Sequence, residues 1–156
     1  MDKSLTFNID FDGTCVTHEY PEVGKNIGAE SVLKELTDKG HRLILFTMRS
    51  NEQLQDAVDW FKLNNIPLWS IGYNPEQSEW TDSLKPYADF MIDDSALGTP
   101  LTKRSLQFTQ EDFFEKYGYS PFLSPKQLNS YCYYDVKRPY VDWTQIKLLL
   151  EKLNIL

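Results

Sequence analysis

Leu5-Thr6-Phe7-Asn8-Ile9-Asp10-Phe11-Asp12-Gly13-Thr14 is the stretch on which the reading of this chain turns. Its first six residues are a short β-branched and aromatic run that stops at the turn signal Asp12-Gly13, as a strand does. Two carboxylates, Asp10 and Asp12, stand at the strand's C-terminal end. Alone, Asp-Gly-Thr is a common turn. The ends of the other strands decide whether it is more than that.

Outward from this strand, a loop from Thr14 to Gly28 leads to Ala29, Val32, Leu33 and Leu36 at helical spacing, with Gly40 at the expected stop. Leu43-Ile44-Leu45-Phe46 is a continuous apolar run into Thr47, as in a strand buried on both faces of a parallel sheet. Ser50 with Gln53 matches a capping box, opening a helix with Leu54, Ala57, Val58 and Phe61 inside and Asn64-Asn65 at its end. Leu68–Ile71 reads as a weaker strand, and Asp89-Phe90-Met91-Ile92-Asp93 as a clear one. A last helix starts near Asp142, with Gln145 at the box position and Trp143, Ile146, Leu149, Leu150 and Leu153 along one face. Strand and helix in alternation imply crossover connections and an α/β, mostly parallel sheet.

A chain of 156 residues fits one domain. Residues 1–100 form its motif-bearing core, 101–139 an aromatic-rich elaboration packed on the sheet edge, and 140–156 the C-terminal helix. The elaboration carries Phe113, Phe114, Tyr117, Tyr119, Phe122, Tyr131, Tyr133 and Tyr134, with helix starts expected at Thr109 and at Ser124-Pro125. A net charge of −7 with scattered Lys and Arg argues against a nucleic-acid partner, which is held mainly through its phosphates. Two unspaced cysteines, Cys15 and Cys132, fit a reduced compartment. No run approaches the ~18 apolar residues of a membrane span, and no signal peptide is evident. The expectation is a soluble, cytoplasmic protein without a membrane partner.

Ligands of open parallel sheets bind beyond the carboxyl ends of the strands. There the first strand offers Asp10 and Asp12, the second Thr47 followed by Met48-Arg49-Ser50, and the fourth Asp93-Asp94. Carboxylates gathered in one crevice repel unless a cation lies among them. Oxygen ligands without His or Cys suit magnesium. A phosphate held by that ion becomes open to attack by a carboxylate, because the ion separates the two negative charges.

Asp10-Phe11-Asp12-Gly13-Thr14 after a strand is similar to the first motif of the haloacid dehalogenase (HAD) superfamily of aspartate-nucleophile phosphatases. Thr47 matches the second motif and Asp93-Asp94 the fourth. Lys85, in Ser83-Leu84-Lys85-Pro86-Tyr87-Ala88-Asp89, matches the third. The resemblance runs in order from Leu5 to Gly98. It implies a HAD-like Rossmannoid three-layer α/β/α fold and a Mg2+-dependent phosphate monoester hydrolase. By resemblance, Asp10 forms an aspartyl-phosphate and ligates magnesium, while Asp12 is general acid, then base, with its backbone carbonyl on the metal. Thr47 hydrogen-bonds the phosphoryl group and Lys85 neutralises it. Asp94 and Asp93 bind the metal directly or through water. The dehalogenases proper lack the second aspartate, so Asp12 favours phosphate chemistry.

Arg49 is close enough to Thr47 to reach a substrate anion, with a surface salt bridge as the alternative. Cys15 reads as a small buried hydrophobe and His18 as a solvated loop histidine, with the substrate-facing place that the resembled family often puts after its first motif as the alternative; His41 has no assigned role. The gaps from Cys15 to Gly28 and from Tyr73 to Asp82 are too short for a cap domain, and Tyr20-Pro21-Glu22-Val23-Gly24-Lys25 resembles small capless bacterial hydrolases. An open site either accepts a phosphate on a bulky molecule or uses a second copy, as a homo-oligomer, to exclude water. Two other readings stay open: a weakly catalytic binding or assembly module on the same scaffold, and transfer to an acceptor other than water.

Overall fold

Four strands, β1 (Thr6–Ile9), β2 (Arg42–Leu45), β3 (Ser70–Ile71) and β4 (Phe90–Ile92), form a parallel sheet in the order β3-β2-β1-β4. This is a computed structural model that describes residues 3–104, 106–108, 132–134 and 136–156, with backbone only at 107, 108 and 132–134. Helix α1 (Ala29–Asp38) links β1 to β2, and α2 (Asn51–Leu63) links β2 to β3. The chain then crosses to the far side of β1 to make β4, so the strand order reverses at β1, and the crevice between β1 and β4 is where such sheets bind ligands. The fold is the expected α/β class: a Rossmann-like three-layer arrangement that needs no cap domain.

Side chains alternate across a strand, and the register separates the two faces. Phe7, Ile9, Leu43, Leu45 and Ile92 join one core with Val32, Leu33 and Leu36 of α1, Ala57, Trp60 and Phe61 of α2, and Trp143, Ile146 and Leu150 of α3 (Trp143–Lys152). Burying these groups is the main force holding the helices to that face. Asn8 lies on the opposite face, where its Nδ2 donates to Pro86 O at 3.0 Å. The layer there is thin. It is the β3–β4 connection with its single 3₁₀ turn, Gln77–Glu79.

Helix ends show how sequence sets the elements. Each of the three described helices stops with a left-handed residue, Gly40, Asn65 or Asn154, and the two C-terminal amides turn back onto helix carbonyls. In α1, Gly40 N–H donates to Thr37 O at 3.0 Å and His41 N–H to Leu36 O at 3.0 Å. Asp142 caps α3 as the sequence suggests, accepting from Gln145 N at 3.2 Å. The capping box expected at Ser50 does not form. Ser50 is the N-cap residue but makes no side-chain cap bond, and Asn51 after it is left-handed (φ 51°), off the path that a box requires. On α3, Leu149 and Leu153 lie on the exposed side and not in the core expected for them.

The chain divides into two compact units, Met1–Thr102 with Arg138–Leu156, and Lys103–Lys137. In the first, β5 (Leu101–Thr102) pairs antiparallel with β8 (Tyr140–Val141). The second contains the antiparallel pair β6 (Leu106–Phe108) and β7 (Cys132–Tyr134) and takes up most of the aromatic-rich stretch. The helix starts expected at Thr109 and Ser124-Pro125, and the aromatic residues from Phe113 to Tyr131, lie outside the described residues. Among the described residues no helix is long and apolar enough to cross a membrane.

Candidate active site

The sheet ladder runs one residue past β1, with Asp10 N–H donating to Ile92 O at 3.1 Å, and this fixes Asp10 at the carboxyl edge between β1 and β4. The chain then coils tightly. The amides of Thr14 and Cys15 donate to Phe11 O at 3.2 and 2.8 Å. Gly13 is needed here for two reasons: its φ is +82°, and a Cβ would sit 2.4 Å from Asp94 Oδ2. The C-terminal segment holds the coil from outside, through Val141 N–H to Gly13 O at 2.9 Å and Trp143 Nε1–H to Thr14 O at 2.6 Å.

A cavity of about 640 Å³ opens at this edge, lined in part by Asp10, Asp12, Thr47, Arg49, Asp93 and Asp94. The turns after β1, β2 and β4 thus bring six sequence-expected residues to one place. Ligand oxygens of Asp10, Asp93 and Asp94 all lie within 4.8 Å of one another. The side-chain donor set is oxygen alone, the kind that suits a hard divalent cation. Cys15 is not part of it: the thiol is buried, donates to Asp10 O at 3.3 Å, and is pushed well above its usual range by burial and then by Asp10. A thiolate nucleophile has no support here.

Thr14, fully buried, connects the carboxylates. Its hydroxyl accepts Asp94 N–H at 3.0 Å, so its own proton points to Asp10 Oδ2 at 2.8 Å. Burial pushes the Asp10 carboxyl from its ordinary 3.8 to about 7; Asp93 and Asp94 add to the rise, and hydrogen bonds from Thr14 and the Phe11 backbone oppose it. Asp94 is also raised, first by burial and then by Asp93, while His18 and Arg138 act against the rise. Asp93 Oδ1 is held by Ser95 N–H at 2.8 Å and Ser95 Oγ–H at 2.6 Å.

Two expected assignments are corrected. Arg49 does not face a substrate anion. All five of its donors are in use: Nε and Nη2 on the two oxygens of Asp12 at 2.7 Å each, Nη1 on Pro21 O and Gln53 O, and Nη2 also on Glu22 O. Its side chain is 1% exposed and packs between the rings of Phe11 and Tyr20. It fastens the loop after β1 to Asp12. Lys85, unlike Arg49, does not line this cavity at all. It lines a separate cavity with Asn8, Trp80 and Asp89. The connection is held there because Gln77 binds three backbone groups: its Nε2 donates to Ser83 O and Lys85 O, and its Oε1 accepts Tyr87 N–H.

Sequence reading passed over Arg138, which lines the Asp10 cavity and donates from Nη1 to His18 Nε2 at 3.1 Å. Arg138 comes from a stretch with no motif of its own, so no local signal marks it. His18 proves half-buried against this cavity and is no free loop residue. His41 is structural, accepting Leu5 N–H at Nδ1 at 3.2 Å and facing Ile155 O through Nε2.

No family model and no curated protein matches the chain. It is similar to the solved structure of a conserved protein of Bacteroides thetaiotaomicron, with 35% identity and a TM-score of 0.57. The match covers 62% of this chain and 80% of that one.

Proposed function

We propose that this chain is a HAD-type, magnesium-dependent phosphate monoester hydrolase acting through Asp10. The observation that supports this reading is the convergence of Asp10, Thr47, Asp93 and Asp94 on one cavity at the carboxyl ends of β1, β2 and β4. Asp10, Asp93 and Asp94 would hold the ion, and the backbone carbonyl of Asp12 is assigned to it by resemblance. A magnesium ion held by these residues would screen the incoming phosphate from the carboxylates and favour the ionised form of Asp10. The sparse cysteines fit a cytoplasmic setting.

The chain's own residues then divide the work. The Asp10 carboxylate, oriented by the Thr14 bond to its Oδ2, attacks phosphorus and the bond to the leaving alkoxide breaks. Thr47, half-buried on the cavity wall, donates to a phosphoryl oxygen as charge develops. Asp12 carries the proton, to the leaving oxygen first and from the attacking water next. Each of its oxygens has a second lone pair beyond the one that Arg49 occupies, and water finally cleaves the aspartyl-phosphate.

The test is hydrolysis of p-nitrophenyl phosphate with and without magnesium. Asp10→Asn should lower kcat by about a thousandfold or more, the scale of losing a nucleophile, and chelator should abolish turnover. Robust turnover by that variant, or full activity in chelator, would sink the mechanism.

A further inference from the structure

A phosphoryl-transfer site needs a cation that neutralises the group in flight. The resemblance assigns that task to Lys85, yet Lys85 lines a different cavity. Arg49 faces the site, but its five donors are taken and its charge is paired with Asp12. Arg138 is different. Among the described residues it lines the Asp10 cavity beside Asp93, Asp94 and Ser95, is exposed, and has one side-chain hydrogen bond, to His18. We propose that Arg138, steadied by His18, is the anion-binding residue of this cavity and takes the phosphoryl oxygens in place of Lys85.

The chemistry suits the place. A guanidinium offers a planar fork that matches two oxygens of a phosphate, and its charge-assisted bonds are about twice as strong as neutral ones. The bond to His18 uses one of the five N–H groups, which leaves the others to bind a ligand in the cavity that Arg138 lines. Because Arg138 donates to His18 Nε2, that imidazole nitrogen is the acceptor and adds no competing donor. The backbone also fixes the approach. Tyr140 pairs with Thr102 in the β5–β8 ladder, and Val141 N–H binds Gly13 O at 2.9 Å, which anchors the residues after Arg138 to the coil that carries Asp10.

The inference rests on the phosphoryl-transfer reading of the same cavity, and binding separates the two. Inorganic phosphate is titrated calorimetrically into the full chain in magnesium, beside steady-state hydrolysis of p-nitrophenyl phosphate. Arg138→Ala should weaken phosphate binding at least tenfold and both raise KM and lower kcat, because the same fork holds the bound phosphate and the group in flight. Arg138→Lys should recover part of the binding, and Lys85→Ala should stay within twofold of the unaltered chain. Asp10→Asn should still lose phosphate affinity when combined with Arg138→Ala. Near-UV circular dichroism checks that the exposed Arg138 is replaced without unfolding. Undiminished binding in Arg138→Ala, loss in Lys85→Ala alone, or no phosphate binding by the unaltered chain overturns the inference. Arg138-dependent binding without any turnover would keep the anion site and remove the hydrolase reading.

Discussion

Arg49 and Asp12 meet through two 2.7 Å bonds in a pair that is almost out of contact with solvent, and removing one partner of such a pair leaves an uncompensated charge. The pair orients Asp12 while sparing a lone pair on each of its oxygens. Asp10 is shifted the other way. Burial penalises its anion and pushes the native carboxyl from the ordinary 3.8 to about 7. Between these two values the native chain keeps a proton that the unfolded chain has released. Unfolding free energy in the absence of metal should therefore fall as pH rises through that window and level off above it. Urea unfolding in chelator at pH 5 and 7.5 checks this, with Asp10→Asn as reference. The unaltered chain should lose stability relative to the variant at the higher pH. An equal or opposite difference contradicts the shifted carboxyl.

At the scale of elements, apolar spacing located each helix but blurred which leucines face inward. Leu149 and Leu150 are adjacent on α3, yet Leu149 is 45% exposed and Leu150 5%. A helix advances about 100° per residue, so neighbours at the edge of an apolar stripe fall on opposite sides of it. Leu150→Ala should cost about 2–5 kcal/mol, and Leu149→Ala within about 0.5 kcal/mol. Denaturant midpoints measure both, and equal costs would mean that the helix is rotated. The β3–β4 connection makes the same point for polar residues. No local signal marks Gln77, but its buried side chain ties together the backbones of Ser83, Lys85 and Tyr87 and so holds the segment that carries Lys85.

For the whole molecule, the chain leaves the first unit at Thr102 and returns to it at Arg138, and Thr102 is the ladder partner of Tyr140. The two cut ends are thus close, and a short linker closes such a gap at little entropic cost. A chain in which a few Gly and Ser residues replace 103–137, with Arg138 kept, should fold and unfold in one cooperative transition. Thermal circular dichroism reads this out. A transition that is broad or absent would show that the first unit needs the second. The core that the shortened chain keeps is the one in which Phe7, Ile9, Leu43 and Leu45 meet all three helices.

The sequence by itself determined what depends on near neighbours: the three described helices, the stops of the first two at Gly40 and Asn64-Asn65, the strands, and the acids at the strand ends. A parallel sheet turns that order into a place, because every strand delivers its C-terminal residues to the same edge. The convergence of Asp10, Asp12, Thr47, Asp93 and Asp94 was therefore legible before any coordinates. Tertiary structure alone decided the cations. Arg49 went to Asp12, Lys85 to another cavity, and Arg138 to the site. Long charged side chains have many rotamers and little local preference, so their partners are chosen by which burial and hydrogen bonds the finished fold offers.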